Sequence, residues 1–242
     1  MNITNKTVLV TGGGSGIGLE IAKQLSAKNN KVIITGRTAD KLQKAAAGLT
    51  NVTPIVADIN NADDVKKLVS TITADFGGLD ILINNAGNAS VYKLGQNSNS
   101  TQIAVDEFNT NFFSVLSLTD QFLPALTASS EAAIVTVTSI LALTPRSTLP
   151  TYSASKAALH SYTQSLRFEL AKTTGIKVYE LMPPLVNTDF SKDIGGENGI
   201  PPSQVAGDLI NAFENDVYEI HVGNTAQIYS LSPVDAFNAI NQ

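Results

Sequence analysis

The sequence predicts an α/β fold: one domain on a seven-stranded, mostly parallel sheet with helices on both faces. Three observations carry this. Short β-branched runs recur along the chain, stretches with apolar residues at helical spacing lie between them, and the alternation continues almost to the end with no linker, repeat or low-complexity segment. The length of 242 residues with 43% hydrophobic and 15% charged content supplies one large core.

In order, strands are expected at Lys6 to Thr11, Lys31 to Thr35, Val52 to Val56, Asp80 to Asn84, Ala132 to Thr138, Ile176 to Met182 and Val217 to Val222. After the first strand, Ile17, Ile21, Ala22 and Leu25 share one helical face, and after the third so do Val65, Leu68, Val69 and Ile72. Further helices are expected from about Ser117 to Leu126 and from Ser153 to Leu170. Their residues Leu118, Phe122, Ala154, Ala158, Tyr162 and Leu166 spread over more than one face, so a surplus is expected to pack against a second copy. Two polar loops, Gly95 to Ser100 and Asp189 to Pro202, are candidates for walls of a site, the second as a substrate loop at about 188–202.

Composition excludes several functions. The formal net charge is -5, the sequence pI is about 5.0, and no Lys/Arg block offsets the average, so no nucleic-acid partner is expected. No apolar run approaches the ~20 residues of a membrane span, and no basic-then-apolar leader opens the chain, so a soluble, cytoplasmic protein is expected. The absence of cysteine removes disulfides and thiolate chemistry, and His160 and His221 are far apart, so no metal site is expected.

Between the first strand and its helix stands Thr11-Gly12-Gly13-Gly14-Ser15-Gly16-Ile17-Gly18. Glycine lets the backbone turn tightly and lets a pyrophosphate approach the amide N–H groups at the positive end of a helix. In this position the pattern points to a dinucleotide, although its spacing, Gly12-x3-Gly16-x-Gly18, differs from GxGxxG. A second constellation is Tyr152 with Lys156, four apart on a helix and thus on one face, with Ser139 just after the fifth strand. A cation near a phenol favours its ionised form, and a serine hydroxyl nearby can hold a substrate oxygen.

These residues resemble the classical short-chain dehydrogenase/reductase family, a single-domain Rossmann fold. The resemblance runs over nearly the whole chain: the glycine loop, Asp58, Asn84-Asn85-Ala86-Gly87, Asn111, Ser139, Tyr152 with Lys156, and Pro183 with Thr188. Within the family the run Val217 to Gly223 followed by Ser232-Pro233 looks most like the bacterial DltE-type oxidoreductases. The resemblance implies an NAD(P)-dependent oxidoreductase that interconverts a carbonyl and an alcohol on a small substrate. Its catalytic residues would be Asn111, Ser139, Tyr152 and Lys156. Tyr152 would be the acid in reduction, Lys156 would lower the phenol pKa and hold the nicotinamide ribose, Ser139 would position the substrate oxygen, and Asn111 would hold a water. Cofactor contacts would come from Gly12, Gly14, Ser15, Gly16, Ile17, Gly18, Asp58, Asn85, Ala86, Gly87, Tyr152, Lys156, Pro183, Val186 and Thr188. A homodimer through a four-helix bundle, with a homotetramer also open, follows from the same likeness.

One departure and one choice remain. Pro183-Pro184 stands where the family has Pro-Gly, which fixes a φ and removes an N–H beside the nicotinamide. The second strand ends in Gly36-Arg37 rather than in a carboxylate, so Arg37, helped by Ser15 and Thr38, can take a 2′-phosphate. NADP is therefore expected over NAD. The competing function is a dinucleotide-binding sensor without turnover, a class in which the tyrosine or lysine is typically missing.

Overall fold

The computed structural model describes residues 1–242. Seven parallel strands form one sheet in the order β3-β2-β1-β4-β5-β6-β7. They are β1 (Thr7–Thr11), β2 (Lys31–Gly36), β3 (Val52–Val56), β4 (Ile81–Asn84), β5 (Ala133–Val137), β6 (Lys177–Met182) and β7 (Glu219–His221). Every pairing in the sheet is parallel, as a chain that returns through a helix after each strand requires.

Strand periodicity divides the core in two. In β1, Val8 and Val10 face one layer while Leu9 faces the other, and Ile81, Ile83 and Leu82 of β4 repeat the split. The first layer is closed by α1 (Gly16–Ser26), α2 (Ala39–Ala46) and α7 (Pro202–Asn215), the second by α3 (Ala62–Phe76), α5 (Ser114–Ala128) and α6 (Pro150–Thr173). Full burial of each of these aliphatic side chains contributes on the order of 1.5–3 kcal/mol, which is why a helix follows each strand onto its face. Helix α3 also starts and stops on local chemistry. Asn61 accepts from the N–H groups of Asp63 and Asp64 at 2.9 and 3.1 Å, and Gly77 ends the helix at φ +79°.

Leu118 and Phe122, counted in the sequence as part of an interface surplus, are at most 1% exposed and belong to the second core layer. Helical spacing alone does not distinguish a face turned to the sheet from one turned to a partner. Of the other residues counted there, Ala154 is exposed while Ala158, Tyr162 and Leu166 are half-buried, and nearby Phe113 is 54% exposed.

The helix leading to α5 is not uniform. Helix α4 (Ser100–Phe108) passes into a π-helical turn at Asn109–Phe113 before continuing as α5. The loop at 189–202 is more ordered than its polar composition indicates. It forms two 3-10 turns, Asp189–Ile194 and Gly196–Asn198, and pairs back through Val186 and Ile200. Two short helices, α8 (Thr225–Tyr229) and α9 (Pro233–Asn241), close the chain. No helix is long and apolar enough to cross a membrane.

Candidate active site

The strand order reverses between β2-β1 and β4, and the loops leaving β1 and β4 diverge to open a crevice at the carboxyl ends of the strands. A cleft of about 830 Å³ lies there. One end is the glycine loop. Gly12 and Gly16 adopt φ +64° and +55°, which L side chains rarely reach. A Cβ on Gly12 would stand 3.0 Å from the Ala86 Cα, and one on Gly16 would stand 3.1 Å from the Thr188 side chain. The loops after β1, β4 and β6 are therefore drawn together around a strip of bare backbone, and the first turn of α1 brings N–H groups with no intrahelical acceptor to it. Asn85 ties this end together: its amide donates to the Thr11 carbonyl at 2.8 Å, and the Thr11 hydroxyl accepts from Asn85 and Ala86 N–H at 2.9 and 3.0 Å.

At the other end stand Ser139, Tyr152 and Lys156. Ser139 follows β5 in extended conformation; its Oγ accepts from Leu141 N–H at 3.1 Å, and the next residue is tied to Pro183 O at 2.9 Å. Tyr152 and Lys156 lie one turn apart in the first half of α6, the ammonium 5.7 Å from the ring centroid and donating to Val137 O at 2.8 Å. Burial is the largest influence on Tyr152 and pushes its phenol up to about 12, against the Ser139 hydroxyl, which lowers it. The charge of Glu107 raises it further, the lowering by Lys156 expected from the sequence is not among the influences on it, and the phenol is a protonated donor at neutral pH. Lys156 is brought down to about 8, by burial first, with Glu180 opposing.

Of the residues singled out in the sequence, Gly12, Gly14, Ser15, Gly16, Ile17, Arg37, Asp58, Asn85, Ala86, Gly87, Ser139, Tyr152, Lys156, Pro183, Val186 and Thr188 all line this one cleft. Gly18 and Asn111 do not. Gly18 lies behind the loop, where a Cβ would fall 2.6 Å from the Gly12 carbonyl oxygen. Asn111 is fully buried in the π-helical turn and accepts from Asn88 N–H at 2.8 Å. Its amide donates to Asn88 O and Ser155 Oγ at 2.8 and 2.9 Å, and Ser155 in turn donates to Tyr152 O at 2.7 Å. Asn111 thus ties the loop after β4 to the helix carrying Tyr152. Pro184 does not disorder the segment after it: Leu185 O accepts from Ile200 N–H and Asn187 N–H donates to Ile200 O, at 3.1 and 2.8 Å.

Residues 6–199 match the short chain dehydrogenase family. The chain belongs to that family. It is 37% identical over 200 residues to the uncharacterized oxidoreductase DltE of Bacillus subtilis (strain 168), covering 83% of this chain and 79% of the relative. An uncharacterized oxidoreductase of Staphylococcus aureus (strain USA300) is 36% identical over 192 residues, covering 77% and 80%. A short chain dehydrogenase from Burkholderia cenocepacia J2315, solved in complex with NADP, superposes with a TM-score of 0.83 at 27% identity, covering 94% of this chain and 92% of that one. A short chain dehydrogenase/reductase from Burkholderia phymatum, solved in complex with NAD, gives 0.85 at 22% identity, covering 91% and 89%, and so shares the fold. This short chain dehydrogenase is accordingly an oxidoreductase of that family, and the DltE-type likeness read in the sequence holds.

Two residues lining this dehydrogenase's cleft, Lys41 and Arg146, and one buried carboxylate bonded to Ser90 of its wall, Glu107, were not singled out in the sequence. Lys41, on the first turn of α2, lines the cleft beside Arg37. Its signal was its place in the first turn of the helix that directly follows Gly36-Arg37. Glu107 is fully buried on α4 one turn before Asn111; its Oε1 accepts from Ser90 N–H at 2.7 Å and its Oε2 has no partner. Burial raises its carboxyl, against the Ser90 N–H hydrogen bond, which lowers it. Arg146 lines the substrate end with Val91, Leu149, Phe190, Ile194 and Ile240. It carried no motif, and only folding brings it there.

Proposed function

We propose that the protein reduces a carbonyl to an alcohol, and runs the reverse reaction, with NADP(H) preferred over NAD(H). The observation that carries this reading is the convergence, in one cleft, of the glycine cradle with Ser139, Tyr152 and Lys156. The cradle fits a dinucleotide because a Cβ at Gly12 or Gly16 would occupy the strip of backbone that a pyrophosphate needs. Gly12 to Ile17 would hold the pyrophosphate, Asp58 the adenine, Asn85 to Gly87 the adenosine ribose, Lys156 the nicotinamide ribose, and Pro183, Val186 and Thr188 the carboxamide. When bound, the nicotinamide supplies the hydride that the carbonyl carbon receives.

The residues of the chain manage the proton. Ser139 Oγ orients the substrate oxygen toward Tyr152, whose phenol gives up its proton as negative charge develops there. A phenol held at about 12 is an acid that keeps its proton until that charge appears. Burial thus works against the free phenolate. The nearby ammonium of Lys156 reduces this cost once the proton has left, and Asn111, through Ser155, keeps the Tyr152 turn in place. The substrate end is lined mainly by apolar side chains, which suits a small, largely apolar substrate and excludes water from the reacting carbonyl. The reading is tested by following NADPH absorbance across ketones, aldehydes and quinones. Saturable NADPH binding with no consumption across the panel would instead support the silent sensor.

The NADP preference rests on Gly36, Arg37 and Lys41. No carboxylate ends β2, and the two cations with Thr38 and Ser15 line the adenosine end of the cleft. Arg37→Ala is expected to weaken NADP binding roughly ten- to a hundred-fold and leave NAD binding unchanged. Titration of both cofactors at fixed ionic strength checks it, and equal affinities in the parent would remove the preference.

A homodimer packing the exposed faces of α5 and α6 completes the proposal, with a tetramer open. Ala154→Glu places a charge on the exposed face of α6 without touching the core and is expected to give monomers by light scattering. A stable dimer in that variant would move the interface elsewhere.

A further inference from the structure

Glu180 is a carboxylate that the chemistry above does not use. It sits inside β6, in register with Thr136 of β5, and is fully buried without lining the cleft. A carboxylate in that position persists only with strong donors. It has two. The Thr138 hydroxyl donates to Oε1 at 2.8 Å, and His160 Nδ1 lies 2.9 and 3.0 Å from its two oxygens. Both donors adjoin the active site: Thr138 stands between Val137, whose carbonyl holds Lys156, and Ser139, while His160 is one helical turn beyond Lys156 on α6.

Other charged and titratable groups face this cluster. From α6 come Lys156 and Arg167, and from β7 come Glu219 and His221. Arg167 and Glu219 pair with each other at 2.8 Å. His221 is stacked on Tyr229 with its Nε2 buried and unpartnered, and burial lowers its pKa, which favours the neutral ring. Of these groups Glu180 is the fully buried carboxylate, and its charge favours the Lys156 ammonium.

We propose that Glu180 is a positioning residue for Lys156: its carboxylate supplies the negative charge that holds the buried ammonium protonated, and His160 sets how much of that charge Lys156 feels. The inference rests on the reading that Lys156 works as a cation. His160 titrates above its usual value because of its hydrogen bond to Glu180. Below that point His160 is cationic and cancels the carboxylate. As the pH rises through it, His160 becomes neutral and the carboxylate's negative charge is no longer cancelled near Lys156.

The test reads Lys156 directly, by the pH titration of its ¹³Cε resonance in the full chain, assigned by its loss in Lys156→Met. Glu180→Gln keeps shape and an acceptor for Thr138 but removes the charge. Its Lys156 midpoint is expected to fall by about one unit or more. Thr138→Val removes the hydrogen bond and no charge, so its midpoint is expected to stay near the parent's. A parent-like midpoint in Glu180→Gln would overturn the proposal. In the parent, the Lys156 resonance is also expected to show a smaller inflection at the His160 midpoint that vanishes in His160→Gln. Its absence from the parent would remove the role of His160 even if Glu180→Gln failed to fold. None of these measurements needs turnover, so a failed substrate panel would overturn the proposed reaction and leave this result standing.

Discussion

Replacing Tyr152 by Phe is expected to lower kcat for carbonyl reduction at least about 100-fold while leaving NADPH affinity within a few-fold of the parent. The substitution removes one oxygen and keeps the ring that packs near Phe190, with centroids 6.1 Å apart. Ser139 Oγ retains the Leu141 N–H, and Lys156 retains Val137 O, so the groups around the missing hydroxyl stay in place. A loss confined to turnover is the result that assigns the proton to Tyr152, because a hydroxyl needed only for packing would change stability or affinity instead. Steady-state rates with the best substrate of the panel and fluorescence titration of NADPH are the two measurements. Turnover within a few-fold of the parent would remove Tyr152 from the chemistry.

The second large effect is expected at Gly18, which the cofactor need not touch. Gly18→Ala would place its Cβ 2.6 Å from the Gly12 carbonyl oxygen and closer still to the Asn85 amide nitrogen. Neither neighbour can move freely. Gly12 is held at φ +64° against Ala86, and the Asn85 amide joins the end of β1 to the end of β4. Relief therefore shifts the loop itself, and dinucleotide affinity is expected to fall by at least about 100-fold, with a lower melting temperature. Gly48→Ala is the control. Gly48 has φ +79° with open space around it and lies away from the cleft, so stability should drop by about 1 kcal/mol with affinity unchanged. Calorimetric titration of the cofactor with thermal melts of both variants checks this, and undiminished affinity in Gly18→Ala would show that the loop does not need a glycine there.

Much of the site was legible because its residues follow strands at fixed offsets. Gly12 to Gly16 follow β1, Asn85 to Gly87 follow β4, Ser139 follows β5 and Pro183 follows β6. In a parallel sheet all those offsets lead to the same edge, so ordering the strands already collects the residues. Lys156 and Tyr152 were legible for a related reason, a spacing of four on one helix. Glu107, Arg146 and Glu180 have no such offset. Glu107 and Glu180 look like ordinary charged residues in an amphipathic helix and a strand, and only their full burial marks them. Lys41 and Arg37 meet at the cleft because α2 begins directly after β2.

The sequence by itself determined the alternation of strands and helices, the all-glycine strip at the first turn and the identity of the proton-handling side chains. These depend on local properties, namely periodicity, the missing Cβ and the functional group at each position. Only the tertiary structure decided which apolar helix faces were core, that the phenol sits at about 12 rather than below its usual value, and that a buried carboxylate pairs with the histidine one helical turn beyond the active-site lysine. Each of these depends on what elements distant in sequence place around a group. Desolvation and Coulomb interaction act through space, between Glu180 on β6 and Lys156 on α6, and no spacing along the chain encodes that neighbourhood.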